Sequence, residues 1–208
     1  MSEGVMIHVI DDDEAVRDSL GFLFDTSDMP ARTWASAAAF LSGVETPRGG
    51  CVVTDVRMPG MSGIELLREL KIRRIDLPVI VITGHGDVPM AVEAMRAGAV
   101  DFLEKPFAED HLLDAVRRAL ARSPGPGGVV VENAEQARVR ARLARLSDRE
   151  RQVLTGLVAG QLNKTIAHDL GISVRTVEVY RAKLMTKMEA DAFADLVRMA
   201  LVAGDVDG

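Results

Sequence analysis

"VIDDDEAVR", residues 9–17, ends an apolar run that begins at Val5 with three consecutive carboxylates, Asp11, Asp12 and Asp13, and passes at once into a helix-like pattern. Three adjacent acids repel one another, and that repulsion costs stability unless positive charge sits among them. A short apolar run, an acidic edge and an immediate helix describe the first strand and crossover helix of a parallel sheet. The acids then lie at the C-terminal edge of the sheet, where such folds place their ligand sites.

The same alternation continues. Strand-like runs recur at 31–34, 51–55, 78–83 and 100–103, with amphipathic helix patterns at 15–26, 36–42, 63–71, 88–97 and 109–122 between and after them. Five strands alternating with five helices predict a doubly wound α/β domain with a five-stranded parallel sheet, flavodoxin-like in outline. Ser62-x-x-Glu65 reads as a capping box opening the third helix, and Asp87 as the cap of the fourth. "SPGPGG" at 123–128 breaks any helix and starts a linker. The linker extends to residue 145 and is helical in part, because "ENAEQARVRARLARL" (132–146) is rich in helix formers. From Ser147 the pattern is all helix, with a second capping box at Ser147-x-x-Glu150 and helices over 163–170, 174–188 and 192–203. The predicted division is residues 1–122, a linker at 123–145, and an all-α four-helix domain at 146–208.

Composition narrows the function. The net charge is −6, unevenly distributed: residues 1–128 carry 13 Lys and Arg against 20 Asp and Glu, and residues 129–208 carry 12 against 11. That balance argues against non-specific coating of nucleic acid but leaves room for a local basic face in the second half. No apolar run approaches the roughly 18 residues of a membrane span, and there is no signal-peptide pattern. The expected location is the cytoplasm. The single cysteine, Cys51, lies in an apolar run and reads as a buried small hydrophobe.

Four strand ends bring chemistry to one rim: Asp11-Asp12, Asp55, Thr83 and Lys105-Pro106. Clustered carboxylate oxygens suit a hard cation such as Mg²⁺, which would supply the missing positive charge. Taken singly, the acids could form a solvated turn, Thr83 an ordinary strand end, Lys105 a surface lysine. Their arrival together from separate strands is the stronger signal.

These pieces resemble a response-regulator receiver domain, in "VIDDDEAVR", "VVTDVRMPGMSG", "VIVITGHGD" and "VDFLEKPF". The resemblance implies that Asp55 is the phosphoacceptor. It implies that Asp11, Asp12, Asp55 and the backbone carbonyl of Arg57 surround Mg²⁺, with Asp12 binding directly and Asp11 through water. Thr83 and Lys105 would hold the phosphoryl oxygens, and Lys105-Pro106 would be cis. Thr83 and Phe102 would form the switch, Phe102 turning inward as Thr83 moves toward the phosphoryl group. Asp13 is not expected to be a ligand; it is expected to face solvent or to influence hydrolysis. His85 and His111 receive no role.

In the second half, a short turn, "GIS", joins two helices in the outline of a helix-turn-helix. Val177, Tyr180, Leu184 and Met188 recur at core spacing on the second of them. The opposite face carries Arg175, Glu178, Val179, Ala182 and Thr186, with Arg181 and Lys183 at its flanks, a mixture suited to base edges in a major groove. Lys164, Thr165, Thr176 and Lys187 are placed to touch phosphates. This stretch resembles the LuxR-type DNA-binding domain, in "LSDRERQVL", "NKTIAHDLGIS", "RTVEVYRAKLMTKM" and "LVRMAL". Tyr180 departs from the His common there and Glu178 from a common Lys, so no operator sequence follows.

A receiver followed by a LuxR-type domain is similar to the FixJ/NarL class of two-component response regulators. The resemblance implies a transcription factor phosphorylated by a sensor histidine kinase, dimerising through the fourth helix and fifth strand (Val88, Met90, Val92 and Val100 being candidates), and binding double-stranded promoter DNA with RNA polymerase as a partner. It is not expected to be an enzyme beyond its own phosphorylation and dephosphorylation. A phosphatase of the haloacid dehalogenase type needs an acid two residues after its nucleophile, where this chain has Arg57. A quorum-sensing regulator needs a ligand-binding first half. A pseudo-receiver acting without phosphate is the remaining alternative, and the intact set Asp11, Asp12, Asp55, Thr83 and Lys105 speaks against it.

Overall fold

The computed structural model describes residues 5–44, 49–84, 88–121 and 131–202. Five strands, β1 (Met6–Ile10), β2 (Ala31–Trp34), β3 (Gly50–Asp55), β4 (Val79–Thr83) and β5 (Asp101–Glu104), alternate with α1 (Glu14–Thr26), α2 (Ala37–Gly43), α3 (Gly63–Ile72), α4 (Val88–Ala97) and α5 (Glu109–Ala121). Five further helices follow: α6 (Val131–Leu143), α7 (Asp148–Val158), α8 (Asn163–Leu170), α9 (Val174–Met188) and α10 (Phe193–Val202). The chain divides into two compact units, residues 1–86 with 97–123, and residues 87–96 with 124–208.

All strand pairs are parallel, in the order β2-β1-β3-β4-β5. Strands this apolar on both sides are stable only when helices cover both faces. Ile7, Val9, Cys51, Val53, Ile80 and Ile82 form one core with Leu20 and Phe24 of α1 and Leu112, Ala115, Val116 and Ala119 of α5. On the opposite face His8 meets Phe40 of α2, with ring centroids 5.1 Å apart, and accepts a hydrogen bond on Nδ1 from Trp34 Nε1 at 3.3 Å. Burial, followed by the charge of Arg32, pushes the pKa of His8 down, so the imidazole that accepts from Trp34 is neutral at pH 7. Burial likewise pushes the Cys51 thiol up to about 12, which agrees with its reading as an inert core residue.

Strand order reverses between β1 and β3, and a doubly wound sheet opens its binding crevice at that point. Register then decides what meets there. Ile10 pairs with Thr54, Asp55 with Ile82 and Thr83 with Glu104. Asp11 therefore emerges level with Asp55, and Lys105 follows one residue beyond the level of Thr83.

In the second half α6 to α10 share one core built from Val139, Leu143, Val153, Leu154, Leu157, Ile166, Val177, Leu184, Met188 and Leu196. The sequence puts four helices here and expects the preceding linker to be helical in part; the helix is α6, and it belongs to the second core, because Val139 and Leu143, each 3% exposed, close that core. At roughly 1.5–3 kcal/mol per fully buried aliphatic side chain, two such residues order a helix that alternating arginines alone would leave in solvent. The "SPGPGG" stretch, His85 and Asp87 lie outside the described residues.

Both expected capping boxes form. Ser62 Oγ accepts from Glu65 N while the Glu65 carboxylate accepts from Ser62 N, and the same exchange joins Ser147 to Glu150. Glu150 also pairs with Lys187 of α9 at 2.7 Å. That bond, together with the Ser147 amide, pulls its pKa down to about 2. A carboxylate whose pKa is lower in the folded chain contributes its full stability above the ordinary value of 4.5 and loses it as the pH falls toward 2. In far-UV circular dichroism melts, the stability advantage of the wild-type chain over Glu150→Gln is expected to shrink across that window and to be constant above it.

Candidate functional site

The rim places Asp11, Asp55, Thr83 and Lys105 together. Lys105 Nζ donates to Asp11 Oδ2 at 2.9 Å and to Asp55 Oδ1 at 3.0 Å. Both acids are nearly dry, Asp11 being 2% and Asp55 7% exposed. Burial by itself would lower the pKa of Lys105, but the hydrogen bonds and charges of the two aspartates outweigh it, and the net shift is upward. The ammonium is thus firmly protonated. The remaining oxygens are held from the backbone: Asp13 N donates to Asp11 Oδ1 at 2.9 Å and Arg57 N to Asp55 Oδ2 at 2.6 Å. The Lys105-Pro106 peptide bond is cis, and Lys105 N donates to Thr83 O at 2.7 Å. Thr83 is buried, and so is Phe102, at 8% exposure.

Asp12 is exposed beside this pair. Asp13 does more than face solvent. Its carboxylate accepts from Ala15 N at 2.9 Å and caps α1, which explains why one of the three acids is absent from the rim. Arg17 is the residue that the sequence reading misses. Its guanidinium donates to the backbone carbonyls of Asp11 at 2.8 Å and Asp12 at 2.9 Å, so positive charge reaches the acidic turn from within the chain. A cation one turn into the helix, five and six positions after the acids, was the available signal.

The donor set fits a hard divalent ion. Asp11, Asp12 and Asp55 carry three negative charges against the one of Lys105, and every free donor is oxygen. Among the described residues no three His, Cys, Asp or Glu side chains converge as a metal-binding group. Mg²⁺ does not need three, since it takes one or two carboxylates and completes its shell with water and phosphate oxygens.

Gly63 fixes the space beneath Asp55. A Cβ there would lie 2.2 Å from the Asp55 carbonyl oxygen and 3.1 Å from Thr54 Cγ2. Backbone, not a flexible side chain, would have to move. Gly63→Ala is expected to cost about 1–3 kcal/mol of stability and to slow phosphorylation by acetyl phosphate roughly tenfold or more, given that small displacements of reacting groups are costly. Thermal melts and intact mass against time measure the two effects.

In the second half, Gly171 adopts φ +64° and ends α8, while Ser173 Oγ accepts from Thr176 N and starts α9. This is the turn of the helix-turn-helix. Arg175, Glu178, Val179, Ala182 and Lys183 of α9 are exposed, as are Lys164 and Thr165 of α8. Val177, Leu184 and Met188 are buried, and Tyr180 packs part-buried against the same core. Thr176 is part-buried, with its hydroxyl 2.7 Å from Ser173 Oγ. Arg181 stacks its guanidinium 4.4 Å from the Phe193 ring centroid, and Lys187 is held by Glu150. Of the apolar residues expected at a dimer face, Val92 is buried, while Met90 and Val100 are part-exposed; the side chain of Val88 lies outside the described residues.

Comparison with known proteins agrees with this geometry. Residues 7–117 match the family model of the response regulator receiver domain. The chain belongs to the response-regulator family. Residues 144–200 match that of the bacterial regulatory proteins of the luxR family. The transcriptional regulatory protein FixJ of Azorhizobium caulinodans is 58% identical over 205 residues, 98% of this chain and 95% of that protein. FixJ of Rhizobium meliloti is 52% identical over 198 residues, covering 95% of this chain and 96% of that one. Among solved structures, full-length FixJ from B. japonicum matches over the whole of both chains at 48% identity with a TM-score of 0.54. This response regulator is accordingly FixJ-like: a receiver joined to a LuxR-type DNA-binding domain, regulating transcription under the control of phosphorylation. Among the described residues no helix is long and apolar enough to cross a membrane.

Proposed function

We propose that Asp55 takes a phosphoryl group from the phosphohistidine of a sensor histidine kinase, and that this event controls promoter binding by α8 and α9. The observation that carries the reading is one ammonium, Lys105 Nζ, shared at 2.9 and 3.0 Å by two nearly dry carboxylates at the ends of different strands. Charge is poised there without being cancelled, which suits transfer of a strongly anionic group.

In the transfer, an Asp55 carboxylate oxygen forms a bond to phosphorus as the bond from phosphorus to the histidine nitrogen breaks, and the departing imidazole nitrogen takes up a proton from water. Arg57 N–H orients the Asp55 carboxylate. Lys105 and Thr83 stabilise the equatorial oxygens, so the receiver contributes chiefly position and electrostatics. Bound Mg²⁺ would neutralise the remaining negative charge. Asp11, Asp12, Asp55 and the carbonyl of Arg57 are the groups to hold it, and Arg17 keeps the carbonyls of Asp11 and Asp12 in place. The chain catalyses this transfer and its hydrolytic reversal on itself alone.

The acyl phosphate biases Thr83 and Phe102 and favours a homodimer through the α4–β5 region. Two DNA-binding domains then engage two half-sites, and the second contact becomes intramolecular. Lys164, Thr165 and Thr176 would meet phosphates, with Arg175, Glu178, Val179, Ala182 and Lys183 at base edges and Arg181 at their flank. Promoter DNA and RNA polymerase as partners place the protein in the cytoplasm. For domain limits we propose 1–122 and 146–208, with the α6 segment of the intervening 123–145 stretch packed on the second domain.

The test is intact mass and gel filtration after acetyl phosphate with Mg²⁺. A stoichiometric acid-labile adduct on the Asp55 peptide, together with a shift to dimer, is the expected result. An adduct elsewhere, or a dimer without an adduct, overturns the reading.

A further inference from the structure

The C-terminal end of α9 is tied down twice. Lys187 Nζ sits 2.7 Å from Glu150 Oε2 at the start of α7, and Glu189, the left-handed C-cap of α9, pairs with Arg142 of α6. Glu150 is 4% exposed, and the same carboxylate oxygen accepts from Ser147 N at 2.8 Å and Ser147 Oγ at 2.9 Å. To reach a DNA phosphate, Lys187 would have to abandon the buried carboxylate of Glu150. Leaving a buried charge without its partner is unfavourable, and a solvated phosphate gives little in return. The spacing that suggests a phosphate contact for Lys187 thus conflicts with where the side chain is engaged.

We infer that Lys187 is a positioning residue for DNA recognition and not a phosphate contact: its ammonium, locked on Glu150, fixes the angle at which α9 leaves the core. The lever is long. A 15-residue helix extends about 22 Å at about 1.5 Å per residue. A tilt of about 5° at the clamped end moves Arg175, near the other end, by about 1.5 Å and Glu178 by about 1 Å. Base-edge hydrogen bonds do not survive such a displacement, whereas flexible phosphate contacts do. The inference rests on DNA recognition by α9.

The test uses the full-length chain treated with acetyl phosphate and Mg²⁺, and two duplexes. One is enriched from a randomised pool by the wild-type protein, and the other is its scrambled counterpart. Lys187→Met is expected to weaken binding to the enriched duplex about tenfold, to leave the scrambled duplex within about twofold, and to leave the slope of log affinity against log salt unchanged. Lys187→Arg restores most of the loss. Lys164→Met, at an exposed position proposed above to meet phosphate, instead lowers the slope by about 0.9 per subunit on both duplexes. Glu150→Gln gives a second reading that does not depend on the folding of Lys187→Met. It reproduces the selective loss if Lys187 positions α9, but strengthens binding to both duplexes if a released Lys187 reaches phosphate. A reduced slope in Lys187→Met, equal losses on both duplexes, or no loss at all overturns the inference. Equal binding of the two duplexes by the wild-type chain is a different failure, that of sequence recognition itself, and the inference falls with it.

Discussion

Asp55→Asn is expected to form no acyl phosphate with acetyl phosphate and Mg²⁺, a fall in phosphorylation rate on the order of 10⁴-fold or more, as removal of a nucleophile commonly produces. The amide is isosteric with the carboxylate and its oxygen can still accept from Arg57 N, which lies 2.6 Å from Asp55 Oδ2. Lys105 keeps Asp11 as a partner at 2.9 Å. The variant should therefore fold, and its circular dichroism should match that of the wild type. What it lacks is the anionic oxygen that attacks phosphorus. Phosphate-induced dimerisation and the gain in promoter affinity are expected to vanish with the adduct. A variant that dimerises and binds promoter DNA as the phosphorylated wild type does would establish a pseudo-receiver. Asp12→Asn separates nucleophile from metal. Asp12 is exposed and makes no side-chain contact with Lys105, so its loss should slow phosphorylation at low Mg²⁺ and be partly relieved at high Mg²⁺.

The alternation of strands and helices was legible because each strand is a short apolar run ending in a polar residue with a job. β1 ends at Ile10 before Asp11, β3 ends on Asp55 and β4 on Thr83, and those ends converge once a parallel sheet is assumed. Capping boxes at Ser62 and Ser147 were legible because their hydrogen bonds are local. Long-range partnership was not. Nothing near Lys187 announces that a carboxylate 37 residues earlier will bury itself against it. Nothing near Arg17 announces that its target is two backbone carbonyls in place of side chains, since a sequence displays side chains only. The core role of α6 was hidden for a related reason. Val139 and Leu143 stand among arginines, and two apolar positions four apart become a packing face only when another element supplies the other half of the contact.

Lys105→Met tests the balance of charge at the rim and should give the second largest effect. Methionine preserves the aliphatic stem and the volume but removes the ammonium that lies within 3.0 Å of both carboxylates. Asp11 and Asp55 are then left facing each other at 2% and 7% exposure. Breaking a pair this dry is expected to cost roughly 2–4 kcal/mol in protein freed of divalent ions, since the uncompensated charge dominates. The loss appears as a lower urea midpoint with an unchanged slope. Mg²⁺ binds the same acids, so it should stabilise the variant more than the wild type, in which the ion must share the carboxylates with an ammonium. The difference follows from linkage, because a ligand stabilises by an amount set by its affinity for the folded chain alone. Phosphorylation should nonetheless stay at least about a hundredfold slower at saturating Mg²⁺, because the second cation on the transferring oxygens is still missing. If Mg²⁺ stabilises variant and wild type equally, the ion binds away from Asp11 and Asp55. If it restores full phosphorylation, Lys105 is only a counter-charge for the resting acids and takes no part in holding the phosphoryl group.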